Sequence, residues 1–418
     1  MRVSTLSRSR LFVRVGLAVV LPLLGTVAVL LFWLTMGARA APAGDGGVAA
    51  RPAALAPSLA ASAAVSEALY LPSVMVVAPM ETPVTPVATP GTPVVTPVVT
   101  PGTPVVTPVV TPETPVVTPV TPVVTPEAPV NPQDRADSLR FYRQAYLGSE
   151  GTPFSWSGDR GACDPGDTTP AYRAAVLQRV NYFRAMAGVP DWITFSDAYN
   201  RKAQAAALMM AVNGKLDHAP ATDWICYSAD GADGAGHSNL GSGTGWAQVD
   251  SYMRDAGASN YFAGHRRWIL YAPTRQMGTG DVPAGDGQYG ANALWVIDAN
   301  TVSPRPATRY PYVAWPPPGF VPYPVMYARW SFSYPGADFS NATVTMTAAS
   351  GAVAVAVEAI KDGYGDNTLV WIPLGMADGD VWPKPLADTK YTVTVRNVVV
   401  GPVIWEFSYE VVVFDPGG

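Results

Sequence analysis

The stretch TPAYRAAVLQRVNYFRAMAGVP, residues 169–190, has the features of a single amphipathic helix. Thr169 followed by Pro170 suits a helix start, because threonine can cap free backbone N–H groups and proline already holds a helical φ. Apolar residues recur at helical spacing on one face: Tyr172, Val176, Val180, Phe183 and Ala187. Gly188 and Pro190 then end the pattern. The stretch therefore predicts a helix that buries one side against a core.

Two more helices and two strands are predicted downstream. Ser196 can cap SDAYNRKAQAAALMMAVNGK, whose alanines allow close packing and whose Gly214 ends it. A shorter helix, AQVDSYMRDAG, is expected to end at Gly257. The runs MGTGDV and ANALWVID have the short apolar character of strands. Helices followed by strands predict an α+β domain over residues 134–300.

The C-terminal part, residues 325–418, has an all-β pattern. Six segments alternate apolar and polar residues: RWSFSYP, ATVTMTAAS, AVAVAVEAI, TLVWIPLG, YTVTVRNVVV and WEFSYEVVVFD. Turn residues such as Asp362-Gly363 separate them. This spacing predicts a β-sandwich of immunoglobulin-like type that serves as a binding or spacer module. Residues 301–324, rich in proline and aromatic residues, are predicted to be a linker between the two domains.

The N-terminal 40 residues carry a targeting signal. Four arginines precede an uncharged run of 24 residues from Val15 to Ala38, long enough for a transmembrane helix. The length favours an uncleaved signal-anchor, although Ala38-Arg39-Ala40 also resembles the cleavage site of a signal peptide. The excess of arginine before the run places the rest of the chain outside the cytoplasm in both cases.

Residues 41–133 are predicted to be a disordered stalk. An Ala-rich segment is followed by Thr-Pro-Val repeats from Met80 to about Pro132, and such repeats favour extended polyproline II without a core. The net charge of −5, with no basic run after the N-terminus, excludes nucleic acid as a partner. The expected partners are the membrane, through the N-terminal segment, and an extracellular ligand.

The chain has two cysteines, Cys163 and Cys226. Outside the cytoplasm, two cysteines with none to spare predict a disulfide. The alternative is a metal-binding or redox-active thiol pair, which the absence of C-x-x-C spacing disfavours.

Between Tyr172 and Asp298 the sequence resembles the CAP superfamily of cysteine-rich secretory proteins, antigen 5 and pathogenesis-related-1 proteins, in its bacterial extracellular form. The resemblance rests on the order of five pieces: VNYFRAMAGVP, AQAAALMMAVNGKLDHAP, HSNLG, VDSYMRD and GHRRWILYAP. It covers about 130 of the 418 residues. The resemblance implies a CAP-type α-β-α sandwich.

In that family two histidines and two acids line a central cleft, and the histidines can hold a divalent cation such as zinc. The resemblance carries the histidines over to His218 and His265, and the acid of the third helix to Asp255. The second acid belongs to a Glu-Asn-Leu type motif that reads Ser238-Asn239-Leu240 here, so its carboxylate is missing. His237 stands next to this gap.

Two functions follow from these cleft residues. His218, Asp255 and His265 could form a three-ligand zinc site with an open water position, which implies a divalent-metal-dependent, peptidase-like hydrolase. The residue best suited as general base is the one that Ser238 replaces, which favours instead non-enzymatic binding of a cell-envelope polymer, lipid or protein through the cleft. Ser238 as a nucleophile needs an activating base, for which the adjacent His237 is poor evidence.

Simpler roles remain open for the same residues. His218 and His265 could hydrogen-bond across helix ends and fasten loops together. His237 is predicted to be a solvent-facing loop residue and Asn239 to brace a loop. A purely structural role for the whole protein is the third interpretation.

Overall fold

The computed structural model describes residues 129–285 and 287–418. The predicted signal or anchor, residues 1–40, and the predicted stalk up to residue 128 lie outside this part. No helix within the described ranges has both the length and the apolar character needed to cross a membrane.

The N-terminal module of the described chain is built from helices and four short strands. Its helices are α1 (Arg135–Phe141), α2 (Pro170–Ala187), α3 (Asp197–Asn213), α4 (Ala229–His237), α5 (Gly245–Arg254) and α6 (Gly264–Ile269). Its strands are β1 (Thr194–Phe195), β2 (Ser238–Gly241), β3 (Gln276–Val282) and β4 (Ala291–Trp295). The strands form one sheet in the order β1-β3-β4-β2, in which β1 and β3 are parallel and the other pairs antiparallel.

Helix α2 has the boundaries that its sequence predicts. The Thr169 hydroxyl accepts a hydrogen bond from the backbone N of Tyr172 at 3.2 Å, and Gly188 ends the helix at a φ of 78°. All five residues of the predicted apolar face are buried. Capping and periodicity therefore specify this helix locally, and packing of its apolar face stabilises it.

Helices lie on both faces of the sheet. Ala291 and Ala293 of β4 belong to a core with α3 and α4, whereas Leu294 belongs to a core with α2 and α5. Alternate residues of a strand point to opposite faces, so one short strand serves two helical layers. The arrangement is an α-β-α sandwich, as the sequence predicts.

Two details of the helices differ from the sequence predictions. Helix α5 ends at Asp255, which adopts a φ of 56°, two residues before Gly257. Helix α4, with the sequence ADGADGAGH, was not expected because glycine disfavours helices. A Cβ at Gly234 would lie 2.2 Å from the carbonyl oxygen of Lys202, so the missing side chain lets α4 approach α3 closely.

The C-terminal module consists of two packed sheets. Its strands are β5 (Val313–Trp315), β6 (Gly319–Pro322), β7 (Trp330–Ser333), β8 (Thr343–Ala348), β9 (Gly351–Val353), β10 (Val355–Val357), β11 (Thr368–Pro373), β12 (Thr389–Val400) and β13 (Val403–Phe414). The sheet orders are β10-β11-β7-β5 and β6-β13-β12-β8-β9. Trp330 and Phe332 of the first sheet pack against Tyr391 and Phe407 of the second. The immunoglobulin-like type stays a prediction.

Two segments of this module differ from their predicted roles. Residues 301–324, expected to be a linker, supply β5 to one sheet and β6 to the other. The segment AVAVAVEAI, expected to be one strand, supplies β9 to one sheet and β10 to the other. Both differences arise because strand pairing is a long-range property that local alternation does not reveal.

The two modules share a hydrophobic core. The ring of Phe183 in α2 lies 5.1 Å from that of Trp315 in β5, and both side chains are fully buried. Arg266 of α6 reaches into the sandwich, where its guanidinium donates to the carbonyl of Arg329 at 2.8 Å and to the Ser331 hydroxyl at 3.1 Å. The sandwich therefore supports the helix that carries His265.

Candidate functional site

His265 is held by a buried carboxylate. Its Nδ1 donates to Oδ1 of Asp255 at 2.7 Å, and the Asp255 side chain has no exposed surface. The second carboxylate oxygen accepts from the backbone N of Arg266 at 3.3 Å. The His265 side chain keeps 23% of its surface exposed. Asp255 therefore fixes the orientation of this partly exposed imidazole and engages its Nδ1.

The conformation of Asp255 places this carboxylate behind His265. As the residue that ends α5 it adopts a left-handed φ of 56°, which aspartate tolerates better than most residues. Its backbone carbonyl accepts from the guanidinium of Arg329, which belongs to the sandwich. An aspartate at a helix C-terminus lies against the helix dipole, so its place there is not explained by α5 itself.

His218 is oriented by the backbone of α4. Its Nδ1 lies 2.9 Å from the carbonyl oxygen of Ala235 and donates to it. Loss of hydration lowers the pKa of His218 below its ordinary value near 6.5, and the neighbouring His265 lowers it further. His218 is therefore neutral at neutral pH, and its Nε2 carries the lone pair of a hydrogen-bond acceptor.

Strand β2 lies next to His265. The Asn239 side chain donates to the backbone carbonyl of His265 at 3.1 Å, and the backbone carbonyl of Asn239 accepts from the Tyr252 hydroxyl at 3.0 Å. Asn239 therefore connects β2 to the first turn of α6. The Ser238 hydroxyl is buried and makes no hydrogen bond within the described part of the chain. Within residues 129–285 and 287–418, Ser238 thus has no hydrogen bond to a base.

His237 is not the loop residue that the sequence predicts. It is the last residue of α4, and its Nδ1 donates to the carbonyl of Asp233 at 2.9 Å. Its ring stacks on Trp295 at 4.5 Å between centroids, and Trp295 stacks in turn on Tyr199 at 4.4 Å. The third histidine therefore belongs to an aromatic stack, in contacts that neither His218 nor His265 shares.

The donor set falls short of a zinc centre. Among residues 129–285 and 287–418, no group of three or more His, Cys, Asp or Glu side chains is placed to hold a metal ion. Both carboxylate oxygens of Asp255 are engaged by His265 and Arg266, so the three-ligand hypothesis with Asp255 as ligand is not supported. Two imidazoles alone do not provide the three or four protein ligands of catalytic or structural zinc.

A buried polar network around Asp281, next to β2, was not anticipated from the sequence. Asp281 accepts from the backbone N of Gly245 at 2.7 Å, from the Asn292 side chain at 2.9 Å and from the Thr279 hydroxyl at 3.1 Å. Full burial raises the pKa of Asp281 to about 6. Asn292 also accepts from the Tyr252 hydroxyl at 2.7 Å, which links this network to β2. The sequence signal was the aspartate within the strand MGTGDV.

The predicted disulfide is present between Cys163 and Cys226. It lies beside two open grooves of about 560 and 530 Å³ on the surface of α3. The larger groove is lined by residues such as Asp164, Arg201 and Ser228, and none of the three histidines lines either groove. These grooves are therefore separate from the histidine pair.

Comparison with known families agrees with this architecture. Residues 177–298 match the family model described as CAP: Cysteine-rich secretory protein family. The chain carries a CAP domain. The match includes His218, Asp255 and His265, and proteins of this family are usually extracellular.

No curated protein matches the chain. A solved structure that the chain matches is CopC from Methylosinus trichosporium OB3b, at 18% sequence identity, over 24% of this chain and 89% of that chain. The TM-score is 0.18, which is too low to relate the two folds.

The CAP domain therefore brings together part of the predicted site. Asp255 and His265 are in contact, His218 lies near enough for His265 to affect its pKa, and Asn239 braces the same region. Sequence reasoning missed the carbonyl of Ala235, because the helix that presents it was not expected.

Proposed function

We propose that this protein is an extracytoplasmic, non-enzymatic binding protein whose CAP domain receives its ligand at His218 and His265. The observation that supports this proposal best is the fixed orientation of the two rings. The Nδ1 of each ring is bonded to a protein oxygen, at 2.9 Å for His218 and 2.7 Å for His265. Each Nε2 is thereby left for an external partner.

The chemistry of the two rings favours a ligand with hydroxyl or amide donors. Neutral His218 offers the lone pair of Nε2 as an acceptor, because its Nδ1 proton is committed to the carbonyl of Ala235. Of the expected ligand classes, a cell-envelope polymer carries many such donors along its length. A lipid headgroup and a protein loop are the other candidates, and the same experiment compares them.

The absence of a complete catalytic set argues against hydrolysis. Asp255 and His265 have the geometry of a base and its orienting acid. A third group is required, and the buried Ser238 hydroxyl makes no hydrogen bond to either histidine. The acid expected before Asn239 is replaced by this serine, so that position supplies no general base for a water molecule.

The three histidines provide a direct test by NMR. With only three in the chain, their Cε1–H signals can be assigned by single substitutions and followed during titration with soluble peptidoglycan fragments, short-chain phosphatidylcholine or zinc. We expect the fragments to shift the His218 and His265 signals together. His237, which contacts Trp295 and Asp233, serves as the internal control, and its signal should not shift.

Matched variants separate binding from folding. His218→Ala with His265→Ala should abolish the response to fragments, and His237→Ala should retain it. No shift of His218 or His265 with fragments or phosphatidylcholine would contradict the proposal. Saturable one-to-one zinc binding that is lost in the double variant would instead favour the metal-dependent alternative.

A further inference from the structure

The long hairpin of the sandwich ends in an apolar tip. Strands β12 and β13 meet at Gly401-Pro402, and the residues flanking this turn pair as Val398 with Trp405, Val399 with Ile404 and Val400 with Val403. We refer to residues 398–405 as the hairpin tip. No charged residue occurs within it.

The tip is exposed to a degree unusual for such side chains. Ile404 has 68% of its surface exposed, Trp405 45% and Val403 44%. Single exposed apolar residues are normal on protein surfaces, whereas contiguous ones mark a contact with a partner or a membrane. Val403, Ile404 and Trp405 are consecutive and exposed, so they mark such a contact.

The polarity pattern of the hairpin changes at the tip. Further along the strands, the outer face carries polar residues, such as Thr394 opposite Ser408, while the inner face carries buried residues such as Val395. This alternation is expected where one face of the sheet is exposed to water. At the tip both faces are apolar and exposed on β13, because Ile404 lies on the outer face and Trp405 on the inner one, although Val398 opposite Trp405 is buried.

Neighbouring strands do not cover the tip. Strand β8 pairs with β12 only over Tyr391–Arg396, and β6 pairs with β13 only over Val411–Phe414. One isolated bridge, between Asp338 and Val399, is the contact nearest the turn. The turn and Val403–Trp405 therefore extend beyond the sheet that supports them, whereas Val398 is buried in its core.

We propose that the hairpin tip inserts into the surface of a lipid bilayer. A second strand or a protein groove would cover the free edge of β13 or one face of the hairpin. A fluid apolar medium that surrounds the turn covers both faces at once. Insertion of this kind uses a site separate from the histidine pair and does not depend on the function proposed for that pair.

The residues around the tip fit insertion into a neutral bilayer. Trp405 lies at the boundary with the polar part of β13, and tryptophan favours the interfacial zone of a membrane. The charged side chains beside the tip are the ion pair of Arg396 and Glu406 at 2.9 Å and the exposed Asp338, whose backbone pairs with Val399, so the collar around the tip is not positively charged. Contact should thus depend on apolar burial rather than on anionic lipids.

The tip lies far from the point at which the preceding chain joins the sandwich. The carbonyl of Pro132 accepts from the backbone N of Phe320 in β6, which pairs with the far end of β13. Strand β13 is about 35 Å long at about 3.3 Å per residue. A probe at the tip consequently reports on a different part of the molecule from the N-terminal run of residues 15–38.

The test uses the full chain with a single fluorescent label. Ile404→Cys carries an environment-sensitive nitrobenzoxadiazole group, and Ser408→Cys, on the same outer face of β13, is the matched control. The protein is kept soluble in an amphipathic polymer and mixed with phosphatidylcholine vesicles. We expect a blue shift and enhanced emission at position 404, with quenching by spin-labelled lipid, and no change at position 408.

A second variant relates the signal to the apolar residues. Val403→Asp with Trp405→Asp, in the labelled background, should weaken the response at position 404 at least tenfold, because two apolar contacts are replaced by charges. An unchanged melting temperature shows that the fold is intact. The N-terminal run is present in every variant, so it affects all of them equally.

Three outcomes would overturn the proposal. The first is the absence of a response at position 404, and the second is an equal response at position 408. The third is a shift that requires only high protein concentration without vesicles, which would identify a second copy of the chain as the occupant.

Discussion

Asp255 and His265 are ten residues apart in sequence, and their side chains form a hydrogen bond of 2.7 Å in which the carboxylate is fully buried. Asp255, which was considered as a ligand for a cation, therefore orients the His265 ring instead. Metal-bound histidines commonly have such a partner, but so does a histidine that is simply positioned for hydrogen bonding. What distinguishes the two cases is the number of remaining donors, and the described residues contain no group of three or more His, Cys, Asp or Glu side chains placed to hold a metal ion.

Removing the Asp255 carboxylate should destabilise the CAP domain. Asp255→Ala leaves His265 and the backbone N of Arg266 without their partner and places alanine at a left-handed φ, so we expect a loss of about 2–4 kcal/mol. Asp255→Asn retains an acceptor and tolerates the same φ, and should lose about 1 kcal/mol. Urea unfolding of both variants measures the difference. Equal losses would show that hydrogen bonding to His265 contributes little.

The buried Asp281 should make stability depend on pH. Burial raises its folded pKa to about 6, above its ordinary 3.8, so the folded protein retains a proton that the unfolded chain releases between these values. The free energy of unfolding should therefore decrease as pH rises from about 4 to 6, by about 3 kcal/mol. Asp281→Asn should remove this slope.

The measurement for Asp281 is a difference curve. Urea unfolding of the wild type and of Asp281→Asn at a series of pH values cancels the contributions of other groups, including His218. The variant should be at least as stable as the wild type at pH 7, since it avoids the buried charge. Parallel curves for the two proteins would show that Asp281 does not titrate in this range.

Loss of the disulfide should lower stability by about 4 kcal/mol in the chain-entropy model, because Cys163 and Cys226 close a loop with a sequence separation of 63. The variant Cys163→Ser with Cys226→Ser should match the wild type treated with dithiothreitol. Urea midpoints of the three samples test this. A reductant effect that persists in the double variant would point to a cause other than this bond.

Arg266 should couple the two modules. Its buried guanidinium donates to the carbonyl of Met253 at the end of α5 and to that of Arg329 just before β7, so Arg266→Met leaves these acceptors unpaired and should cost about 3 kcal/mol. The exposed Arg275 is the matched control, and Arg275→Met should change stability by less than about 0.5 kcal/mol. Calorimetry should show one unfolding transition for the wild type. Two separate transitions in the wild type would contradict a shared core.

The sequence predicts the helices with strong local signals and misses the one without them. Thr169, Pro170 and Gly188 mark the ends of α2 where the structure has them. Helix α4 contains three glycines, and it forms because its glycines let it pack closely on α3. Its carbonyl at Ala235 orients His218, so the missed helix is also the missed part of the candidate site.

The sequence by itself determined the α+β class, the disulfide partners and the CAP domain, since these depend on local caps, on periodicity, on having only two cysteines and on the order of short motifs. Only the tertiary structure decided what Asp255 does, that His237 stacks on Trp295, and that residues 301–324 supply strands to both sheets. Those features depend on the direction of individual side chains and on pairing between distant segments. Neither is encoded in the spacing of residues along the chain.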